Sequence, residues 1–348
     1  MRYTLLGNTG LAVSRLAFGA MTFTSGDDRI PAVYKTQAAE ADELVGHALD
    51  AGINFFDTAD VYAAGQSEEM LGQALGARRK DVVIATKCGI RSGEPLAQAG
   101  LNRRHILRSV DESLKRLGTD WIDVYIAHVE DPYAPLEETL EAFDQVVRSG
   151  KARYIGFSNW PAWRIAAALE LQKANGWAKF SHGQMHYSLL CRDVEREIMP
   201  AMQRYGLGLT VWSPLSFGLL SGKYDRAALE DPANRLATFR LLPVDTDKGM
   251  ALVDLMRPLA DARGLSVAQL AIAWLLSRPQ VTSVLLGASK QHQLADNLGA
   301  ADFVLDDEAI AALDAATGYA PHYPAWFRPN LADQPYAAAL DPDVPTWR

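Results

Sequence analysis

A chain of 348 residues can form two ordinary domains or one large α/β barrel, and at 49% hydrophobic residues it can bury a substantial core. The formal charge of −8 argues against a nucleic-acid protein, which carries a basic face, but leaves room for a local basic pocket. No run approaches the roughly 18 apolar residues of a membrane helix.

The opening MRYTLLGNTGLAVSRLAFGAM lacks the apolar segment and cleavage site of a signal peptide. The two cysteines, Cys88 and Cys191, form no metal-binding spacing, so a reducing cytoplasm is the expected compartment. Within that opening, YTLLGNTGLAVSRL reads as a β-hairpin, two alternating runs around Gly7–Gly10 suited to plugging the bottom of a barrel.

Eight strand-like runs follow: Arg15–Gly19, Ile53–Thr58, Val82–Lys87, Ile122–His128, Arg153–Ser158, Phe180–Met185, Leu207–Ser213 and Ser283–Gly287. Between them lie amphipathic helical patterns such as ADELVGHALDAG, RRHILRSVDESLKRLG, LEETLEAFDQVVRSG and AQLAIAWLLSRP. Three of the helices close on a glycine, Gly52, Gly118 or Gly150, as a left-handed cap favours. Regular alternation of strand and helix implies parallel strands, and eight units fit a closed (β/α)8 TIM barrel.

An open doubly wound sheet is the rival, but the first strand–helix turn, AFGAMTFTSGDD, has no G-x-G-x-x-G. No linker divides the chain, so residues 1–318 read as one barrel domain. Residues 319–348 read as a Pro-rich C-terminal extension on or near the active-site face, or reaching a partner. Two irregular stretches, Thr24–Thr36 and Pro214–Asp247, follow strand ends, where barrel enzymes build their sites.

The strand ends carry the chemistry. They bring Asp57, Lys87, His128, Ser158 with Asn159, Gln184, and Trp212 with Ser213, and Tyr62 follows Asp57 by five residues. Singly each has a plain explanation: the Asp a turn or cap, the Lys a solvated charge, the His a half-buried imidazole. In a parallel barrel all of them meet on one rim. A phenol titrates near ~10, and a neighbouring ammonium lowers that value. An Asp keeps the ammonium charged, and a His donor orients a carbonyl oxygen. This set suits proton transfer to a carbonyl that receives hydride from a cofactor, since no side chain donates hydride.

The chain resembles the aldo-keto reductase superfamily over about residues 1–318. The resemblance is carried by LGNTGLAVSRLAFGAM, GINFFDTADVYAAGQSEEMLGQAL, VVIATKCG, LKRLGTDWIDVYIAHVEDPYAPLEETL, GKARYIGFSN, WSPLSFGLLSGKY and SVLLGASKQHQLADNLGA. The last two look closest to the branch of potassium-channel β subunits and their bacterial reductase relatives. The resemblance implies an NADP-dependent reductase of aldehydes or ketones, working equally as an alcohol dehydrogenase. Its catalytic residues would be Asp57, Lys87, His128 and Tyr62, the last as general acid/base.

The same resemblance places Ser158, Asn159 and Gln184 at the nicotinamide carboxamide and Trp212 against the nicotinamide ring. Ser213, Leu215, Gly218 and Ser221 would run beside the pyrophosphate, with Lys223 and Arg235 reaching phosphate. Gly287, Ser289, Lys290, Gln293 and Asn297 would form the adenosine end. Many relatives place a cation at or near Gln293, so NADP(H) is favoured here and NAD(H) is the alternative. Met21, Thr22 and Trp160 would line the substrate mouth, while Tyr323, Trp326 and Phe327 would cover it or pack on helices. The implied partners are a small carbonyl or alcohol substrate and a second copy of the chain, with no nucleic acid, metal or membrane. Two other readings stand beside it: an NADPH-binding redox sensor or partner subunit with little turnover, and a barrel lyase using Tyr62 and Lys87.

Overall fold

The computed structural model describes residues 1–27, 29–225, 228, 236, 244–318, 321–327, 331 and 333–340. The expected hairpin is present: β1 (Tyr3–Leu5) pairs antiparallel with β2 (Ala12–Ser14). Eight parallel strands follow: β3 (Leu16–Gly19), β4 (Phe55–Asp57), β5 (Val83–Cys88), β6 (Ile122–Ala127), β7 (Ala152–Ser158), β8 (Phe180–His186), β9 (Gly208–Trp212) and β10 (Val281–Gly287). They close into a barrel because β10 pairs with both β9 and β3. Every strand expected from the sequence is here, with ends within two residues.

Alternation along the strands divides the barrel into two cores. Phe55, Val83, Ala85, Val124, Ile126 and Leu285 point inward and pack together with Ala17. Their neighbours Phe56, Ile84, Tyr125 and Leu286 point outward into the layer shared with the helices. Leu6 and Val13 of the hairpin complete the inner cluster, so the hairpin plugs the barrel floor. The turn between β1 and β2 seats tightly. Gly7 has φ +59°, and a Cβ there would come within 2.2 Å of Ser181 O and 2.7 Å of Gly208 N.

The same parity that buries Phe55, Val83 and Val124 carries on upward to Asp57, Lys87 and His128. Those polar residues are thus the inward layer at the C-terminal rim. The helices form by the expected rules: Arg103–Leu117 is capped by the Asn102 side chain, which accepts from His105 N–H at 3.0 Å, and ends at Gly118 with φ +63°. Among the described residues no helix is long and apolar enough to cross a membrane. Past helix Asp307–Thr317, the rings of Tyr323, Trp326 and Phe327 meet one another at tilted and edge-to-face angles, centroids 5.7–6.1 Å apart, and stand exposed.

Candidate active site

Asp57 ends β4, yet the chain does not leave the sheet there. Thr58 N–H donates to Ala85 O at 2.9 Å and Asp60 N–H to Lys87 O at 3.2 Å, which extends the pairing with β5. Tyr62 then opens a short turn, Tyr62–Gly65, before the helix Gln66–Leu75. Three residues of that turn, Ala63, Ala64 and Gly65, have φ of +46°, +56° and +93°. A left-handed alanine costs about 1–2 kcal/mol, so the surroundings must enforce this path.

The lysine is the hub. Lys87 is fully buried, and its ammonium donates to Asp57 Oδ1 at 2.6 Å, Thr58 O at 2.6 Å and Tyr62 Oη at 3.4 Å. All three of its protons are used. The second Asp57 oxygen accepts from Gln184 Nε2 at 2.8 Å. The Tyr62 and His128 rings meet edge to face, with centroids 5.7 Å apart and planes at 81°. Nδ1 of His128 has no hydrogen-bond partner among the described residues.

Burial governs the protonation of this group. It pushes the Asp57 carboxyl up, more than Lys87 and Gln184 pull it down. Burial would lower Lys87, but Asp57 and Tyr62 outweigh it and the ammonium is held above its ordinary value. For Tyr62 burial again dominates: the phenol lies above its ordinary value even though Lys87 pulls it down. The sequence expectation of a lowered phenol therefore needs refinement. Lys87 acts in the expected direction, but in this enclosed site it moderates a rise and does not produce a net fall. His128 lies well below its ordinary value because of burial and the nearby Lys87, so the imidazole is neutral.

On the next strands the polar groups satisfy one another. Ser158 Oγ donates to Gln184 O at 2.7 Å. Asn159 Nδ2 donates to His128 O at 3.1 Å and Ser158 Oγ at 2.9 Å, and Asn159 Oδ1 accepts from Trp212 Nε1 at 3.1 Å. Trp212 lies on His186, centroids 4.7 Å apart and planes at 29°. Asn159, Ser213, Ser216 and Phe217 all hold positive φ, at 59°, 53°, 47° and 57°. Such clustering of strained residues marks functional sites.

Above these groups lies a cavity of about 1220 Å³, larger than the roughly 300–1,000 Å³ of common ligand pockets. Of the residues singled out in the sequence, it is lined by Met21, Thr22, Asp57, Tyr62, His128, Ser158, Asn159, Gln184, Trp212, Ser213, Leu215, Gly218, Ser221, Lys223, Gly287, Ser289, Gln293 and Asn297. Lys87 lies directly beneath it. Trp160 is not at the mouth: it is 1% exposed and packs on Phe157 and Phe180 outside the barrel wall. Trp160 lies past the end of β7, and the positive φ of Asn159, 59°, breaks the alternation that would otherwise turn it inward with Ser158. Lys290 turns away to Glu40, Nζ to Oε1 2.5 Å. Gln293 accepts from Ser289 N–H at 3.2 Å. Arg235 falls outside the described residues, and Tyr323, Trp326 and Phe327 do not line the cavity.

Sequence reasoning did not name several lining residues. Val61 and Val129 adjoin Tyr62 and His128 in the chain and Ile90 lies two residues past the end of β5, so nearness to the rim residues was the available signal. Ile30, Val33, Tyr34 and Lys35 come from the irregular stretch after β3, held at its base by Thr24 N–H donating to Thr36 O at 3.0 Å. Nothing in that stretch's periodicity marks which side chains turn inward. Among the described residues no His, Cys, Asp or Glu cluster could hold a metal.

The comparisons with known proteins agree with this geometry. Residues 15–317 match the model of the Aldo/keto reductase family. A probable voltage-gated potassium channel subunit beta of Oryza sativa subsp. japonica is 40% identical over 336 residues, covering 92% of this chain and 98% of that one. A versiconal hemiacetal acetate reductase of Aspergillus parasiticus is 35% identical, covering 90% and 96%. A putative aryl-alcohol dehydrogenase of Schizosaccharomyces pombe is also 35% identical, covering 90% and 94%.

Proposed function

The chain belongs to the aldo/keto reductase family, and from that premise we propose that it is an NADP(H)-dependent reductase of carbonyl compounds in which Tyr62 is the general acid. The observation that carries this reading is one contact: the Tyr62 phenol facing a large cavity while bonded from below to a buried, fully committed Lys87.

The residues present suit a nicotinamide dinucleotide. The cavity is long enough to run from Tyr62 to the helix Gln291–Leu298, and Trp212 offers it a braced aromatic face. One Gln184 Nε2 proton goes to Asp57, which leaves the second N–H and Oε1 of Gln184 for a carboxamide. Ser213, Leu215, Gly218, Ser221 and Lys223 would follow the phosphates, and Gly287, Ser289, Gln293 and Asn297 the adenosine end. The nicotinamide, when bound, supplies hydride to the carbonyl carbon.

The chain's own residues handle the proton. Burial keeps the Tyr62 phenol protonated at neutral pH, so it is ready to donate to a carbonyl oxygen as negative charge develops there. The phenolate left behind is stabilised by the Lys87 ammonium at 3.4 Å. Asp57 keeps that ammonium charged and fixed, and Gln184 holds Asp57. His128, neutral beside Tyr62, offers a donor to the same oxygen without adding a competing charge. In alcohol oxidation the same proton path runs backward.

The test is NADPH consumption with activated aldehydes. Wild type should turn over, and Tyr62→Phe should lose at least about 100-fold in kcat, within the usual range for a general acid. Wild-type turnover by Tyr62→Phe would sink the assignment. A second reading, a cofactor-binding partner subunit with little turnover, draws support from the similarity to the probable channel subunit of Oryza sativa. Tight NADPH binding without activity across a carbonyl panel would favour it.

A further inference from the structure

Tyr62 stands in the middle of a turn pinned at both ends. Upstream the pins are the backbone bonds of Thr58 and Asp60 to β5. Downstream they are side chains, and they come from residues adjacent to the two catalytic charges. Thr58 follows Asp57, and Thr86 precedes Lys87. Alternation turns both threonines to the opposite side of the strand, away from the cavity.

Thr58 Oγ1 lies 2.8 Å from Ser67 Oγ, which donates to Ala20 O at 2.8 Å. Thr86 Oγ1 donates to Glu68 Oε1 at 2.5 Å, and Arg116 Nε to Glu68 Oε2 at 2.6 Å. Arg116 also runs against the turn itself, since a Cβ on Gly65 would come within 2.6 Å of its Cδ. Glu68 is fully buried, and none of Ser67, Glu68, Thr86 or Arg116 lines the cavity.

We propose that Glu68, clamped by Thr86 and Arg116, is a positioning residue that sets the Tyr62–Lys87 spacing. One carboxylate joins the strand carrying the lysine to the helix that follows the tyrosine. The left-handed path of Ala63, Ala64 and Gly65 between those fixed points has little freedom to relax. A buried carboxylate is a poor choice where only packing is needed, because an apolar side chain fills the space at less cost. Nearby, the buried Asp60 carboxyl has no side-chain hydrogen-bond partner among the described residues, only the Val61 backbone N–H close by, and lies within electrostatic reach of both Glu68 and Arg116. Without the Glu68 charge, Arg116 would draw Asp60, two residues from Tyr62, and pull the turn with it.

This inference rests on Tyr62 being the general acid, so its test includes a readout that needs no turnover. Full-length wild type, Glu68→Gln and Thr86→Val are compared by steady-state reduction of an aromatic aldehyde with NADPH and by NADPH fluorescence titration. Tyrosine labelled at Cζ reports the Tyr62 phenol by NMR, with Tyr62→Phe identifying its signal. In Glu68→Gln kcat should fall about 10-fold or more, with KM and the NADPH Kd within about 2-fold, as expected for a displaced acid. Its Tyr62 signal should shift or broaden. Thr86→Val, which keeps the ion pair, should change in the same direction by less, and it decides the matter if Glu68→Gln fails to fold.

Folded variants with wild-type kcat and an unmoved Tyr62 signal overturn the proposal. So does a parallel rise of KM and Kd with falling kcat, the pattern of general loosening. A wild type that binds NADPH but reduces nothing sinks the reductase reading alone, and the Tyr62 signal then decides the positioning role.

Discussion

Replacing Lys87 with methionine should separate what the Asp57–Lys87 pair does for stability from what it does for activity. Lys87 is fully buried, and its ammonium neutralises an Asp57 carboxylate that is itself 2% exposed. In Lys87→Met that carboxylate keeps only the Gln184 bond at 2.8 Å. Breaking one side of a buried pair costs about 3–5 kcal/mol, because the remaining charge is left uncompensated. Removing both charges, in Asp57→Asn/Lys87→Met, should recover most of that loss, since the uncharged pair has no desolvated ion to carry. Catalysis should not recover. Tyr62 would still lack the cation that stabilises its phenolate, and a lost electrostatic partner of this kind costs roughly 10²–10³ in kcat. The assays are urea unfolding and kcat for wild type, both single variants and the double. A double variant as unstable as Lys87→Met, or one that regains wild-type kcat, would refute the reasoning.

Stability should also fall in mild acid. His128 lies well below its ordinary value, His182 is lowered to about 3 and His186 to about 4, each chiefly by burial. Their folded values lie below the unfolded one near 6.5, so the unfolded chain takes up protons first, and stability is lost as pH falls through and below that value. From pH 7.5 to 5 the loss is roughly 2 kcal/mol for His182 and less for the partly exposed His186, with His128 adding in the same direction. Asp60, raised well above its ordinary value by burial and then by Glu68, works the other way, so Asp60→Asn should steepen the acid loss measured by urea titration. A flat profile would count against the neutral imidazoles. His186→Ala removes the ring under Trp212 and should weaken NADPH binding about 2- to 10-fold, the worth of one stacked pair, as read by fluorescence. Lys290→Ala should leave the NADPH Kd within about 2-fold while Lys223→Ala raises it about 10-fold, because Lys290 is held by Glu40 and Lys223 lines the cavity. Equal effects would show that the Glu40 pair opens when cofactor binds.

The strands and the rim were legible in the sequence because they obey a rule of period two. Once Phe55, Val83 and Val124 are read as inward, Asp57, Lys87 and His128 follow without further information. The hairpin plug was legible for the same reason, through Leu6 and Val13. Trp160 was misplaced because that rule stops before it: β7 ends at Ser158, and the positive φ of Asn159 turns Trp160 to the outer side with Phe157. Lys290 was a matter of side-chain choice, since its pairing with Glu40 spans 250 residues and leaves no local trace. The wall formed by Ile30, Val33, Tyr34 and Lys35 was invisible because an irregular segment has no period to reveal its inner face. Nor does sequence reveal that burial overrides Lys87 at the phenol, because that balance depends on how completely the site is closed.

Those same facts explain why the site tolerates so many unfavourable features at once. A desolvated ion pair, an Asp60 carboxyl with no side-chain hydrogen-bond partner among the described residues, left-handed alanines and the neutral His128 all lie at the C-terminal rim. The inner apolar cluster, closed from below by the hairpin, lies at the other end. That separation lets the barrel hold Tyr62 dry without placing the cost on the part that keeps it folded. The threonines beside Asp57 and Lys87 then have a definite place in the proposed design. Strand alternation makes the neighbour of every inward rim residue an outward one. Thr58 and Thr86 use that outward position to bind Ser67 and Glu68. On the proposed reading, the chemistry and the clamp that aligns it are carried on opposite faces of the same two strands.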